Sequence, residues 1–431
     1  MNERLTRRQL LKDASLLAST GVLMNACNQS TLTHATTEPT VVTAYSWLGP
    51  DNVQQNVVAF NALFDGFHQA HPDISIKWTL LSAEDYDMML RVRVAAGTAA
   101  DLLMLHPGTE MYRYINAGTL TDLSKETWTK YVEPGAQRVA SYHQKIYGLP
   151  VGQSALGVIY NQKIFQELHL VVPSNWSEFL QTCRMLKAKG FTPLALGMNG
   201  AETAEYIPYA MAPSALYQHD LDFDERMRHE QATFSSSVWK DMLQDYLALY
   251  HQGFFTADPL HTTSDQAIQY IAEEKAAMII EGNWSILSIQ QANPGIQLGM
   301  FPLPYVTGDT LPWVSSAVSA VLGISAQTKV PEQAKTFLRY WSQPEVMKSF
   351  VETTLTYSSF SNVDVVMTSP VGDMIPYLKF GSYPFLNQQW PDGVQATMLR
   401  DIQELFSGTI SIDQMLSDMD MVFQQHRTQV E

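Results

Sequence analysis

Cysteine is nearly absent from this chain: two residues, Cys27 and Cys183, in 431. A disulfide framework therefore does not organise the fold. Basic charge is also scarce, with 27 Lys and Arg against 43 Asp and Glu, a formal net charge of −16. That balance excludes a broad basic face for nucleic acid or an anionic membrane. There is no phosphate-binding loop, internal repeat or long run of like charge. The apolar run Leu16–Met24 is too short to span a bilayer. No metal-ligand cluster is legible: His68 and His71 are three apart at a helix end, without a third donor nearby.

What remains describes a packed globular protein. Hydrophobic residues make up 45% and charged residues only 16%, unlike a disordered chain. The length exceeds what one core supports, so two lobes are expected. Nine Trp and nineteen Tyr exceed the needs of a core and suit a site that stacks on flat ligand faces.

The first forty residues read as an address rather than fold. Arg4, Arg7, Arg8 and Lys12 precede the short apolar run, and Met24-Asn25-Ala26-Cys27 closes it. Thr6–Lys12 resembles a twin-arginine export signal, and the tetrapeptide ending at Cys27 resembles a lipidation site. Residues 28–40 have the composition of a flexible tether. An acyl-modified Cys27 would hold the domain at the outer face of a membrane.

Downstream, 41–47, 74–78 and 102–105 read as strands, with helices over 53–71 and 85–96 between them. Alternation of this kind specifies an α/β lobe with a largely parallel sheet, whose ligands sit beyond the carboxyl ends of strands. Those ends carry Trp47, Asp51 and His106–Glu110. Lys145–Phe165 passes through Gly148, Pro150 and Gly152 into the apolar run 155–160. We read it as a crossing between lobes that becomes a buried strand, with Gln153 at the point of change. Further strands are expected at 192–197, 276–280, 296–301 and 315–324, and a second crossing at Pro302–Pro304. Helices are expected over 176–190, 206–217, 238–250, 264–274, 331–341, 345–353, 383–398 and 413–425. Cys183 falls on the apolar stripe of one of these and reads as a buried thiol.

Several of these stretches resemble, in order, the landmarks of the family 1 extracellular solute-binding proteins, the carbohydrate-binding components of bacterial ABC importers. They are Phe67–Lys77, Ala95–Leu103, Ile146–Asn161, Trp176–Phe179 with Thr192–Leu194, Ala276–Trp284, Gly299–Pro304 and Val330–Tyr340. Ala100 stands where the family usually has Pro, and Glu274 where Gly usually precedes the Lys-Ala-Ala-Met run. The resemblance implies a two-lobed α/β periplasmic-binding-protein fold with hinge crossings and a cleft. Lobe one is expected over 41–150 plus 303–355, and lobe two over 151–302 plus 356–431.

The resemblance implies a monomeric carrier, not an enzyme, without cofactor or metal. It would pass a mono- or oligosaccharide to permease subunits. Trp284 is the expected stacking residue, with Trp47 and Trp313 behind it. Gln153, Asp51, Glu110 and Tyr206 are expected to bind hydroxyls, with Asn283 and Glu281 beside Trp284 bonding the ligand or capping the turn. Two alternatives stay open: a non-sugar solute such as a polyamine, and a glycoside hydrolase. The hydrolase would need two carboxylates poised across the cleft.

Overall fold

The computed structural model describes residues 38–49, 54–81, 83–368 and 370–430. The export signal, most of the tether, Cys27 and Asp51 lie outside these. In chain order the strands are β1 (Thr40–Ser46), β2 (Ile74–Leu80), β3 (Leu102–Leu105), β4 (Ser141–Tyr142), β5 (Lys145–Ile146), β6 (Gly148–Pro150) and β7 (Gln153–Asn161). They continue with β8 (Thr192–Ala195), β9 (Ala276–Gly282), β10 (Leu298–Phe301), β11 (Val314–Val318), β12 (Val321–Ile324) and β13 (Ser382–Tyr383).

Two sheets organise the lobes. The first has the order β2-β1-β3-β12-β6. Its β1, β2 and β3 are parallel, as the βαβαβ pattern requires. β12, which returns from the other lobe, runs antiparallel to both of its neighbours, β3 and β6, so β6 is again parallel to the first three. The helix Gln54–Ala70 covers this sheet by burying Phe60, Leu63 and Phe67, at the i, i+3, i+7 spacing of one helical face. Val58, off that stripe, is exposed. Phe337, Trp341 and Phe350 from the later helices Pro331–Trp341 and Pro344–Thr354 complete this core.

The second sheet has the order β13-β11-β7-β9-β8, with β10 also paired to β7. Every residue of β9 is buried, because the sheet is covered on both faces. Phe179, Cys183, Trp239 and Tyr246 belong to the larger core, and Ile159, Ile271, Ile279 and Ile286 to a smaller one. Burial on both sides explains why these strands read as unbroken apolar runs. The helix Trp176–Ala188 starts at Asn175, whose side chain accepts the Glu178 N–H. Cys183 is fully buried, and burial pushes its thiol well above the ordinary range, which leaves it inert.

Three expectations are corrected. The run 315–324 is two strands, not one: β11 belongs to the second sheet and β12 to the first. The chain changes lobes at Ser319–Ala320, not at Pro302–Pro304, where Leu303 is still packed in the second core. The stretch 383–398 is not a continuous helix. Pro384, Pro391 and Gly393 break it into β13, a turn at Leu386–Gln388 and a helix from Val394 to Phe406.

Three segments pass between the sheets, side by side: Val151–Gln153, Ser319–Ala320 and Leu355–Ser358. Ser319 N–H donates to Gly152 O at 2.9 Å, and Val151 N–H to Ala320 O at 3.1 Å. Gln153 and Tyr357 exchange both backbone bonds at 2.8 Å. Asn283, fully buried, accepts the Ala155 N–H at 2.8 Å and donates to Leu355 O at 2.6 Å. It ties the exit of β9 to β7 and to the third crossing. Asn283→Ala leaves two buried backbone groups unpaired, and is expected to lower stability by about 1–3 kcal/mol in urea unfolding.

Candidate functional site

The carboxyl ends of β1 and β3 present one wall. Trp47, just after β1, is half-buried. Its ring is held edge-on by Tyr86 at 4.9 Å and face-on by His106 at 4.1 Å, with 16° between the planes of the latter pair. Tyr86 donates to Tyr45 O at 3.0 Å and to Met104 O at 2.7 Å, which fixes that packing between strands. His106 covers one face of the indole, so the imidazole shares this wall with Trp47.

Beside them, donor atoms of Asp87, His106 and Glu110 lie within 4.8 Å of one another. This is the one group among the described residues with donors close enough for a metal ion. The same imidazole and carboxylates equally suit hydroxyl donors. Burial pushes the Glu110 carboxyl above its ordinary range; His106 and Arg113 oppose that and Asp87 adds to it. A desolvated carboxylate of this kind gains from any donor that reaches it.

Facing Glu110 is the irregular segment after β13. A cavity of about 370 Å³ lies between Asp87, Thr109, Glu110 and Arg113 on one side and Asn387, Asp392 and Gln395 on the other. Gln395 donates to the Glu205 carboxylate at 2.9 Å.

The neighbouring wall comes from the second lobe. Trp284 opens the helix Trp284–Ala292 and is half-buried. Its ring folds back over β9, where a side chain on Gly282 would meet it at 2.1 Å. Tyr206 stands edge-on to it at 5.7 Å and Phe385 at 6.2 Å. Phe385 leads to Tyr209, 6.4 Å away. Burial pushes the Tyr209 hydroxyl far up, and the Glu205 and Glu110 carboxylates both push it further. Tyr209 itself is buried, and neither it nor Trp284 lines the Glu110 cavity.

The structure brings Trp47 together with Glu110, and Tyr206 together with Trp284. Gln153 and Trp313 lie elsewhere. Gln153 donates to Ser358 O at 3.0 Å and lines two further cavities at the waist, of about 490 and 450 Å³. Trp313 lines the second of these. Glu281 is buried and accepts from Ser285 Oγ and, at 3.4 Å, from Ser264 Oγ. Asn283 is the waist staple described above. The residues that sequence reasoning missed are Asp87, Glu205, Asn387, Asp392 and Gln395. The last three were hidden by the helix expected over 383–398, although Pro384, Pro391 and Gly393 signalled its absence.

Two lobes with separate cores, joined by three adjacent crossings and enclosing a polar and aromatic cavity, define a solute-binding clamp. The chain belongs to the bacterial extracellular solute-binding protein family, whose profile matches residues 51–348. It is 24% identical over 385 residues to the multiple sugar-binding protein of Streptococcus mutans, covering 87% of this chain and 88% of that one. It is 25% identical over 336 residues to the melibiose/raffinose/stachyose-binding protein of Bacillus subtilis, covering 76% of each. Among solved structures, a chitin oligosaccharide binding protein superposes with a TM-score of 0.78 at 21% identity, over 90% of this chain and all of that one. A solute-binding protein in complex with raffinose superposes with a TM-score of 0.76 at 23% identity, over 91% of this chain and all of that one.

Glu281 offers a test of burial. Desolvation raises its carboxyl to about 7, against the opposing bonds from Ser285 and Ser264. The folded protein then holds a proton that the unfolded chain releases, so stability falls as pH rises from about 4.5 to about 7 and levels off above. Glu281→Gln is expected to flatten that fall. In urea unfolding its advantage over the wild type should grow across the window, by up to about 3 kcal/mol.

Proposed function

We propose that the protein captures a neutral mono- or oligosaccharide between its lobes and delivers it to the permease of an ABC importer. The observation that carries this reading is the cavity at Glu110, where the carboxylates of Asp87, Glu110 and Asp392 and the amides of Asn387 and Gln395 converge from both lobes. Sugars present hydroxyls along their edges and C–H groups on their faces. Carboxylates accept strong bonds from the former, and indole and phenol rings pack on the latter. Relatives of this chain that bind sugars support the same reading.

On this reading Glu110, Asp87 and His106 take hydroxyls from the first lobe, and Trp284 and Tyr206 stack from the second. A ligand that touches both walls favours the closed arrangement by its differential affinity for it. The closed form is what the permease engages. No bond is made or broken in the ligand. We place about 40–150, 320–354 and 359–365 in one jaw, because Phe360 and Val363 pack in the first core, and the rest of the folded chain in the other. Cys27 carries a lipid, and the tether to residue 40 leaves the jaws free outside the membrane.

Calorimetry with a panel of saccharides and with putrescine and spermidine tests the reading. Saccharide binding is expected, and polyamine binding without any saccharide binding overturns it. Trp284→Ala is expected to weaken the best saccharide by at least about tenfold, the loss typical of a central aromatic anchor. Glu110→Gln is expected to weaken it while Glu281→Gln leaves it unchanged, because only the first carboxyl faces the cavity.

A further inference from the structure

The segment 386–393 belongs to the second lobe yet reaches the first. Leu386 and Trp390 are buried in the second core. Gln388 Nε2 donates to Val318 O at 3.0 Å, Arg228 donates to Gln389 O at 3.3 Å, and His426 Nδ1 lies 2.8 Å from Asp392 O. From that anchorage the arm touches the helix Thr109–Asn116 of the first lobe, whose Met111 and Tyr114 are in the first core. Thr109 Oγ donates to Asn387 O at 3.2 Å. Arg113 pairs with Asp392 at 3.1 Å. Gly108, at φ +80°, lies so close that a side chain there would meet Gln388 O at 2.2 Å.

These contacts cross the gap between the lobes and bound the Glu110 cavity, which Arg113 and Asp392 both line. At about 370 Å³ the cavity holds the volume of roughly a dozen waters. That is room for a short saccharide, and a longer chain must extend past the arm. The Arg113 and Asp392 side chains are 30% and 47% exposed, so the pair is a weak, breakable closure rather than a permanent wall.

We propose that the 386–393 arm is a latch across the cleft, and that the Arg113–Asp392 pair limits the length of saccharide the site accepts. This rests on the function proposed above. With the latch closed, short ligands fit without disturbing it. Longer ligands bind at the expense of the pair and of the Thr109–Asn387 bond. Arg113 and Asp392 are therefore specificity-determining positions, even where a short sugar does not touch them.

The test compares wild type, Arg113→Ala, Asp392→Asn and the charge-swapped double variant Arg113→Asp with Asp392→Arg. Calorimetry with a disaccharide and a tetrasaccharide of the same series gives the ratio of affinities. X-ray scattering of each ligand-free protein gives the radius of gyration. Both single variants are expected to raise the ratio in favour of the tetrasaccharide by roughly two- to fivefold, the range a half-exposed pair supports. Both are expected to increase the radius of gyration, and the swapped pair to restore both values. An unchanged ratio, or equal changes for both lengths, overturns size selection. An unchanged radius of gyration in folded single variants overturns the latch. If the wild type binds no saccharide of any length, the sugar reading falls and size selection with it, while scattering still decides whether the pair holds the lobes together.

Discussion

Backbone hydrogen bonding at the waist is the constraint on which the rest of the structure depends. Three crossings lie against one another and share their peptide groups, so Gly152, Gln153, Ser319, Ala320 and Tyr357 form a narrow belt between two separately packed cores. Close-packed cores transmit force without deforming. Relative motion of the lobes is therefore concentrated in the belt, where a few dihedral angles change and the sheets on either side move as bodies. Asn283 limits that freedom from one side by bonding Ala155 and Leu355 at once.

Burial of acidic groups has two different outcomes here. Glu281 and Glu110 are both pushed towards the neutral form by desolvation. Glu281 is enclosed and supplied with two serine hydroxyls, so its polarity is spent inside the fold. Glu110 borders a cavity, with Asp87 and His106 alongside, and no hydrogen-bond partner for its carboxylate is found among the described residues. The same physical penalty makes one residue a structural element and leaves the other ready for a donor from outside. Aromatic residues divide in the same manner. Trp341 and Trp239 are wholly buried, whereas Trp284 stays half-exposed because Gly282 lets its ring lie across the end of β9.

Periodicity made most elements legible. The 3.6-residue stripe of Phe60, Leu63 and Phe67 and the alternation of Ile74 to Trp78 are local properties of helix and strand, and tertiary context did not override them. Glu274 is instructive at a finer scale: it adopts φ +57° at a position where relatives usually carry Gly, and its carboxylate pairs with Lys163 at 2.8 Å. Legibility failed where local pattern underdetermines the path. Ser315 to Ile324 looks like one strand, because apolar and small residues run through it. Nothing local says that the chain leaves one sheet and joins another at Ser319. The placement of Gln153 and Trp313 away from Glu110 and Trp284 was hidden for the same reason, since the direction a crossing residue faces depends on its neighbours in other segments.

By itself the sequence determined an α/β chain too long for one core, a Gly- and Pro-rich passage at Gly148–Gly152, and an acidic, aromatic-rich composition compatible with a neutral solute. Those follow from composition and from spacings that each segment carries within itself. Only the tertiary structure decided which carboxylates meet water and which meet serines, and that residues 386–393 form an arm reaching Arg113. Those outcomes depend on contacts between segments up to 279 residues apart, and a hydrogen bond formed through space leaves no periodicity along the chain.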